Sequence, residues 1–304
     1  MRRVLLWMAR NPWLRRQVPR LWFVRRALRR FMPGETLDDA LVAAEGYAPK
    51  GIGGLFTHLG ENLADAAEAD AVAAHYLDAL EQIRARGLDI EISLKLTQLG
   101  LDLDPEMARR HLAVLATRAR ELGVGRVWID MEGSDYTEAT VALYEQLLPE
   151  QPNLGICLQA YLKRTAVDIE RLLPLRPAIR MVKGAYDEPA RIAYRTRPEV
   201  DAAFVAACVS ILRDGNATLG LGTHDVRLIE QIGASAEESG VPRGAYEVQM
   251  LYGIRTGELE RLARAGYRAR VLIAYGEFWY PWYVRRLAER PANVTFVLRQ
   301  LLPW

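Results

Sequence analysis

A (β/α)8 barrel is the fold the sequence predicts, on three observations. Eight short β-like runs recur over roughly 250 residues, each followed by a longer stretch of helical spacing. The competing doubly wound sheet usually shows a Gly-rich phosphate loop after its first strand, whereas here Gly51-Ile52-Gly53-Gly54 lies at the start of one. No linker divides the chain. The 304 residues, 50% hydrophobic and 26% charged, have ordinary globular composition, which argues against a disordered protein.

The first 30 residues carry ten arginines and no acid, so the net charge of +2 divides into +10 on this arm and −8 on the rest. Apolar Val4, Leu5, Trp7 and Met8 precede Pro12, Trp13 and Leu14 follow it, and Leu21, Trp22, Phe23, Val24 and Leu28 follow Pro19. Residues 1–33 therefore read as basic amphipathic helices broken at prolines. Such an arm suits an anionic membrane surface or a cap packed on the body with its arginines snorkelling into water. Residues 34–304 form the barrel. Thr36 and Asp39 have the spacing of a helix capping box.

The strand-like runs are Gly51–Phe56, Ile90–Leu96, Val124–Met131, Asn153–Ala160, Ala178–Ala185, Ala217–His224, Ala245–Leu251 and Tyr267–Tyr275. Helices are expected between them, among them Asp65–Arg86 and Pro105–Leu122, with Gly87, Gly123 and Gly266 at helix stops. Two cysteines, Cys157 and Cys208, cannot build a disulfide scaffold or a four-thiolate zinc site, and a reducing compartment follows. No apolar run reaches the ~20 residues of a membrane span. The arginines also break any signal-peptide core. The expected location is cytoplasmic, with a peripheral contact at the inner face of the membrane through residues 1–30. No nucleic-acid partner is expected.

Barrel active sites sit at the C-terminal strand ends. Polar groups stand there on six strands: Ser93 and Lys95; Asp130 and Glu132; Gln159; Arg180 and Lys183; Thr223 and His224; Glu247 and Gln249. Unpaired polar groups are costly in a strand, so the set predicts a polar cavity. The bland reading of any one of them is an ion pair tying neighbouring strands. Lys95, Arg180 and Lys183 together suggest an anionic ligand. Arg285, Arg286 and Glu289 follow an aromatic run from Phe278 to Tyr283, and Arg285 could grip a carboxylate bidentately. The four histidines have no metal-ligand spacing, and no hydrolase triad can be read. A Schiff-base lyase using Lys95 or Lys183 is an alternative.

Several segments together resemble the proline dehydrogenase family: GETLDDA at 34–40, LGEN at 59–62, SLKLTQLGLDLD at 93–104, DME at 130–132, GICLQAYLKRT at 155–165, RMVKGAYDEP at 180–189, GTHD at 222–225, YEVQMLYG at 246–253 and YVRRLAERPANVTF at 283–296. The resemblance implies a distorted barrel with FAD at its C-terminal mouth and the last helix laid over that mouth. It implies that Lys95, Arg285 and Arg286 hold a proline carboxylate, that Glu61 pairs with Arg285, that Asp130 sits beside Lys95 and the substrate, and that Arg180 lies near the flavin N5. Met131, Gln159, Val182, Lys183, Gly184, Ala185, Thr223, His224 and Gln249 would line the cofactor. Leu251 and Glu289 would complete the pocket wall, on the substrate and cofactor sides respectively.

The implied reaction is oxidation of L-proline to Δ1-pyrroline-5-carboxylate in proline catabolism, with electrons passed to a membrane quinone. The chain departs from the family at the substrate ring wall. Leu272 and Trp282 stand where tyrosines are usual, and Ala274 replaces a proline. Hydroxyproline or another cyclic imino acid is the alternative substrate.

Overall fold

Eight parallel strands close into a barrel in sequence order, each joined to the next by helix. The computed structural model describes residues 11–18, 21, 24, 28–60, 63, 65–280 and 282–284. Two helices, α1 (Pro12–Gln17) and α2 (Leu37–Glu45), precede β1 (Ile52–His58). Then follow α3 (Ala66–Arg86), β2 (Ile90–Leu94), α4 (Pro105–Leu122), β3 (Val127–Ile129), α5 (Ser134–Leu147), β4 (Leu154–Gln159), α6 (Thr165–Leu172) and β5 (Ala178–Val182). The chain continues through α7 (Arg197–Asp214), β6 (Thr218–Gly222), α8 (Val226–Glu238), β7 (Glu247–Leu251), α9 (Thr256–Arg264) and β8 (Arg268–Tyr275).

Local chemistry sets the helix ends. The Thr36–Asp39 capping box opens α2, as expected, with Thr36 Oγ1 accepting from the Asp39 N–H while Asp39 Oδ2 accepts from the Thr36 N–H. Asp65 and Asp104 cap α3 and α4, and Gly87 and Gly123 end them in the left-handed region. All eight expected strands form. The third is shorter than expected, three residues in place of eight: Val124–Arg126 lead into the ladder from the Gly123 turn, and Asp130 and Met131 follow it at the mouth.

Register decides what faces the axis. Leu55 is opposite Glu91 and Leu272, Ser93 opposite Trp128, Cys157 opposite Arg180, and Glu247 opposite Gly220 and Arg268. These residues share the inner face, and their neighbours point outward. The outward set, such as Ile92, Ile129, Ile156, Met181 and Val248, packs under the helices as the main core. Inside, the apolar filling is one thin layer of Leu55, Trp128 and Ala178 against Leu272. Charge and hydrogen bonding fill both ends.

The N-terminal end is closed by ions. Arg270 is buried, and its Nε donates to Glu247 at 3.1 Å while Nη1 donates to the Gly54 carbonyl at 2.8 Å and to Asp89 at 3.2 Å. Glu91 lies 3.6 Å from Arg270 and accepts from the Trp128 indole N–H at 2.6 Å. Burial opposes the Arg270 charge, but Glu91, Glu247 and Asp89 outweigh it and hold its pKa above the ordinary value.

A second cluster lies beside the C-terminal mouth. Val24, Leu28, Phe31 and Met32 of the arm pack there with Leu59, Trp279, Tyr280, Trp282, Tyr283 and Val284, and Leu14 and Val18 pack against them. At Val24, Leu28, Phe31 and Met32 the arm is thus a cap, while Trp13 and Leu21 stay exposed. Among the described residues no helix is long and apolar enough to cross a membrane.

Candidate active site

Strands β2, β3 and β5 bring Ser93, Lys95, Asp130 and Arg180 to one end of the barrel interior. Leu94 pairs with Ile129, so the next position sets Lys95 beside Asp130, and the Asp130 N–H donates to the Leu94 carbonyl at 2.7 Å. Arg180 stands at the centre. It forms an ion pair with Asp130, and its Nη2 donates to Ser93 Oγ at 2.8 Å. Ser93 Oγ donates in turn to Asp130 Oδ1 at 2.9 Å. The guanidinium lies over the Trp128 ring, 5.4 Å from its centroid. Burial works against the Arg180 charge, but Asp130 and Cys157 outweigh it, so its pKa lies above the ordinary value and the group stays a cation. Its Nη1 is buried without a hydrogen-bond partner among the described residues. The Cys157 thiol is free, and burial pushes its pKa up, which unsuits it as a nucleophile.

The loops around this end are tied to one another. Glu132 accepts from the Thr97 hydroxyl at 2.8 Å, and Gln159 Nε2 donates to the Glu132 carbonyl at 2.9 Å. Gln159 Oε1 accepts from the Ala185 N–H at 3.4 Å. Gly184 has φ +116°, and a Cβ there would lie 2.2 Å from the Tyr161 ring, so only glycine fits that turn. Thr223 Oγ1 accepts from the Asp225 N–H at 3.2 Å, and His224 Nε2 accepts from the Leu251 N–H at 3.3 Å. Lys95, Asp130, Val182, Gly184, Ala185, His224, Leu251 and Leu272 are half-buried, which makes this the open mouth, whereas Met131, Gln159, Thr223 and Gln249 are buried behind it.

Two expected features differ from the arrangement found. Lys183 turns out to α7 and the start of α8, where it pairs with Asp201 and, at 3.3 Å, with Asp225. Gln249 Nε2 donates to Glu247 at 2.8 Å, which ties it toward the N-terminal ions. The argument from three cations to an anionic ligand therefore weakens, since Arg180 and Lys183 both find carboxylates within the protein. Leu272 belongs to the thin apolar layer, and Trp282 is buried in the cap cluster. Glu61, Arg285, Arg286 and Glu289 lie outside the described residues.

The sequence marks Ser93 only as one of several polar strand-end groups, with no role of its own, and does not join Arg270, Glu91 and Glu247 into one network. A signal for them existed. Strands of a parallel sheet covered on both faces read as continuous apolar runs. Here Ile90-Glu91-Ile92-Ser93-Leu94, Glu247-Val248-Gln249-Met250 and Arg268-Ala269-Arg270-Val271 alternate instead, which marks a polar inner face.

Comparison with known proteins agrees with this architecture. A family model described as proline dehydrogenase matches residues 40–299. Proline dehydrogenase 1 of Bacillus subtilis subsp. natto is 38% identical over 302 residues, covering 99% of each chain. A proline dehydrogenase of Deinococcus radiodurans is 36% identical over 282 residues, 90% of this chain and 89% of the relative. Among solved structures, proline utilization A from Bdellovibrio bacteriovorus superposes with a TM-score of 0.79 at 23% identity, over 87% of this chain and 32% of that one, a likeness of fold. By the family match and these full-length relatives, the chain belongs to the proline dehydrogenase family.

Proposed function

We propose that this protein oxidises L-proline to Δ1-pyrroline-5-carboxylate with FAD bound at the C-terminal mouth, as a step of proline catabolism, and passes the electrons to a membrane quinone. The observation that carries the reading is Arg180: a buried cation beside Asp130 and Ser93, with one donor unfilled, in a barrel of this family. Two local features suit a flavin nucleotide. Arg180 Nη1, without a protein partner among the described residues, can donate a hydrogen bond to a ring nitrogen or carbonyl, and the Gly184 turn, packed against the Tyr161 ring, holds the loop after β5 in one shape at the mouth. When bound, FAD supplies the two-electron acceptor.

The chain supplies position and charge. Arg180 faces the reacting edge of the cofactor and favours negative charge there. Lys95 meets the substrate carboxylate beside Asp130. Arg285 and Arg286 complete that grip and Glu61 pairs with Arg285, roles that rest on their sequence motifs. Cations around the carboxylate also disfavour a protonated ring amine, which readies the amine for loss of hydride from the adjacent carbon. Gln159, Ala185, Thr223 and His224 hold the loops around the cofactor, with Met131, Val182 and Glu289 lining it, while Lys183 and Gln249 act from behind that lining through Asp201, Asp225 and Glu247. Leu251, Leu272 and Trp282 wall the substrate ring. With no hydroxyl at Leu272 or Trp282, that wall favours an unsubstituted ring over hydroxyproline. Lys183, tied to two aspartates, offers nothing to a Schiff-base mechanism.

The test is the visible spectrum of the purified protein and its response to anaerobic L-proline. A flavin spectrum bleached by proline, and less by hydroxyproline, is expected. A flavin that only another imino acid reduces would move the substrate, and a protein that cannot be loaded with FAD would end the reading. The quinone reading includes a peripheral contact of the arginine-rich arm with anionic lipid. Trp13 is 66% exposed on α1 and Leu14 packs inward. Trp13→Glu should therefore weaken co-sedimentation with anionic vesicles and leave proline oxidation in solution intact.

A further inference from the structure

We propose that Ser93 is a positioning residue that holds Arg180 and Asp130 as one unit at the reacting centre. A guanidinium can only donate hydrogen bonds, and an ionised carboxylate can only accept them. A hydroxyl does both, so a single side chain can join the two groups. Ser93 Oγ does so, accepting from Arg180 Nη2 at 2.8 Å and donating to Asp130 Oδ1 at 2.9 Å. The residue is fully buried, so water does not compete for either bond.

The hydroxyl is itself held in place. Ser93 sits in the middle of the ladder, opposite Thr57 on β1 and Trp128 on β3. Its carbonyl accepts from the Tyr76 hydroxyl of α3 at 2.9 Å, and that hydroxyl accepts from the His58 N–H at 3.0 Å. The outer helix thus fixes the strand, the strand fixes the hydroxyl, and the hydroxyl fixes the pair. Asp130 most needs this support, because its side chain is 23% exposed and water can draw it away, whereas Arg180 is 3% exposed. By holding Nη2, Ser93 also fixes where the unfilled Nη1 presents its proton. Ser93 acts through Arg180 and Asp130, and the proposal rests on the reading of this mouth as a flavin site.

The test compares Ser93→Ala and Ser93→Thr with the parent holoenzyme. Ser93→Ala is expected to keep its FAD content and its thermal midpoint. Its flavin reduction at saturating proline should slow by about tenfold, the effect of one charge-assisted hydrogen bond, with KM for proline changed less than about twofold. The flavin midpoint potential should shift, because the charge of Arg180 is no longer matched by a fixed carboxylate. Ser93→Thr, which keeps the hydroxyl, should restore both rate and potential. Should Ser93→Ala fail to fold, Ser93→Cys keeps the volume with a far weaker acceptor and carries the same expectation. A parental rate and potential in Ser93→Ala would overturn the proposal, as would a folded Ser93→Thr with the same loss.

Nitrogen-15 spectra of the Arg180 guanidinium test the clamp without relying on catalysis. Its rotation should be hindered in the parent and in Ser93→Thr, and averaged in Ser93→Ala. If proline never reduces the flavin, the functional reading fails and these spectra still decide for or against the clamp.

Discussion

Each mouth of the barrel holds a buried arginine, and the two are finished differently. At the N-terminal mouth Arg270 spends its donors on Glu247, Asp89 and the Gly54 carbonyl, and Glu91 beside it takes the Trp128 indole N–H. At the C-terminal mouth Arg180 has Asp130 and Ser93 on Nη2, while its Nη1 has no hydrogen-bond partner among the described residues. A buried donor left unfilled costs roughly 1–3 kcal/mol, so a stability role alone does not account for it. The network around Arg270 is closed within the protein, whereas the one around Arg180 leaves a donor unmatched. Trp128 serves both, with its N–H on Glu91 and its ring under Arg180.

Exchange of the two arginines for methionine would sharpen the contrast most. Arg270→Met leaves Glu91 and Glu247, with side chains 6% and 9% exposed, without their buried cation and with only Arg126 and Arg268, each 3.8 Å away. A loss of about 3–5 kcal/mol in urea unfolding is expected, as for other broken buried pairs. Arg180→Met should cost clearly less stability, since Asp130 can turn toward water, while abolishing flavin reduction. Equal losses of stability in the two variants would break the distinction between the closed network and the unmatched one.

The next effect belongs to the C-terminal side alone. His58 ends β1, stacks 4.2 Å from His75, and has its pKa lowered by burial to about 4. The unfolded chain takes up this proton near pH 6.5, so between pH 6.5 and 4 it binds more protons than the folded chain. Stability contributed by neutral His58 is therefore complete above pH 6.5 and falls by about 2–3 kcal/mol as pH drops to 4. His75, lowered by the same cause, acts in the same direction. Urea midpoints across this range should fall less steeply in His58→Gln. An unchanged slope would place the acid sensitivity elsewhere.

The smallest test couples the two ends. A Cβ on Gly155 would lie 2.4 Å from the Trp128 ring, so Gly155→Ala must push the indole aside. About 1–3 kcal/mol of stability should be lost to overpacking. Flavin reduction should slow as well, because the displaced ring no longer supports Arg180. A loss of stability at full activity would mean that the two mouths are independent.

The eight strands were legible because each is a short apolar run with helix around it. The strand ends also pointed to one mouth as the place where Lys95, Asp130 and Arg180 meet, and they do meet there. What side chains do with one another was harder to read. Lys183 looked like a pocket cation because its partners, Asp201 and Asp225, are 18 and 42 residues away in sequence. Ser93 was legible only as one polar strand-end group among many, because its value comes from two residues on other strands. The arm allowed both a membrane contact and a cap because amphipathicity reports an apolar face and not its occupant. Packing of Val24, Leu28, Phe31 and Met32 against residues 279–284 supplies that occupant for the second half of the arm.

That cap also bears on how the protein comes into being. The Trp279 indole donates to Glu35 across 244 residues of sequence, among side chains that wall the open mouth. Contacts so distant pay the largest loop-closure entropy and form late. During synthesis Val24, Leu28, Phe31 and Met32 must wait, their apolar side chains uncovered, until Trp279 and its neighbours leave the ribosome. The nascent chain can therefore assemble all eight strands of its barrel, which end at Tyr275, before the cap beside the mouth can close.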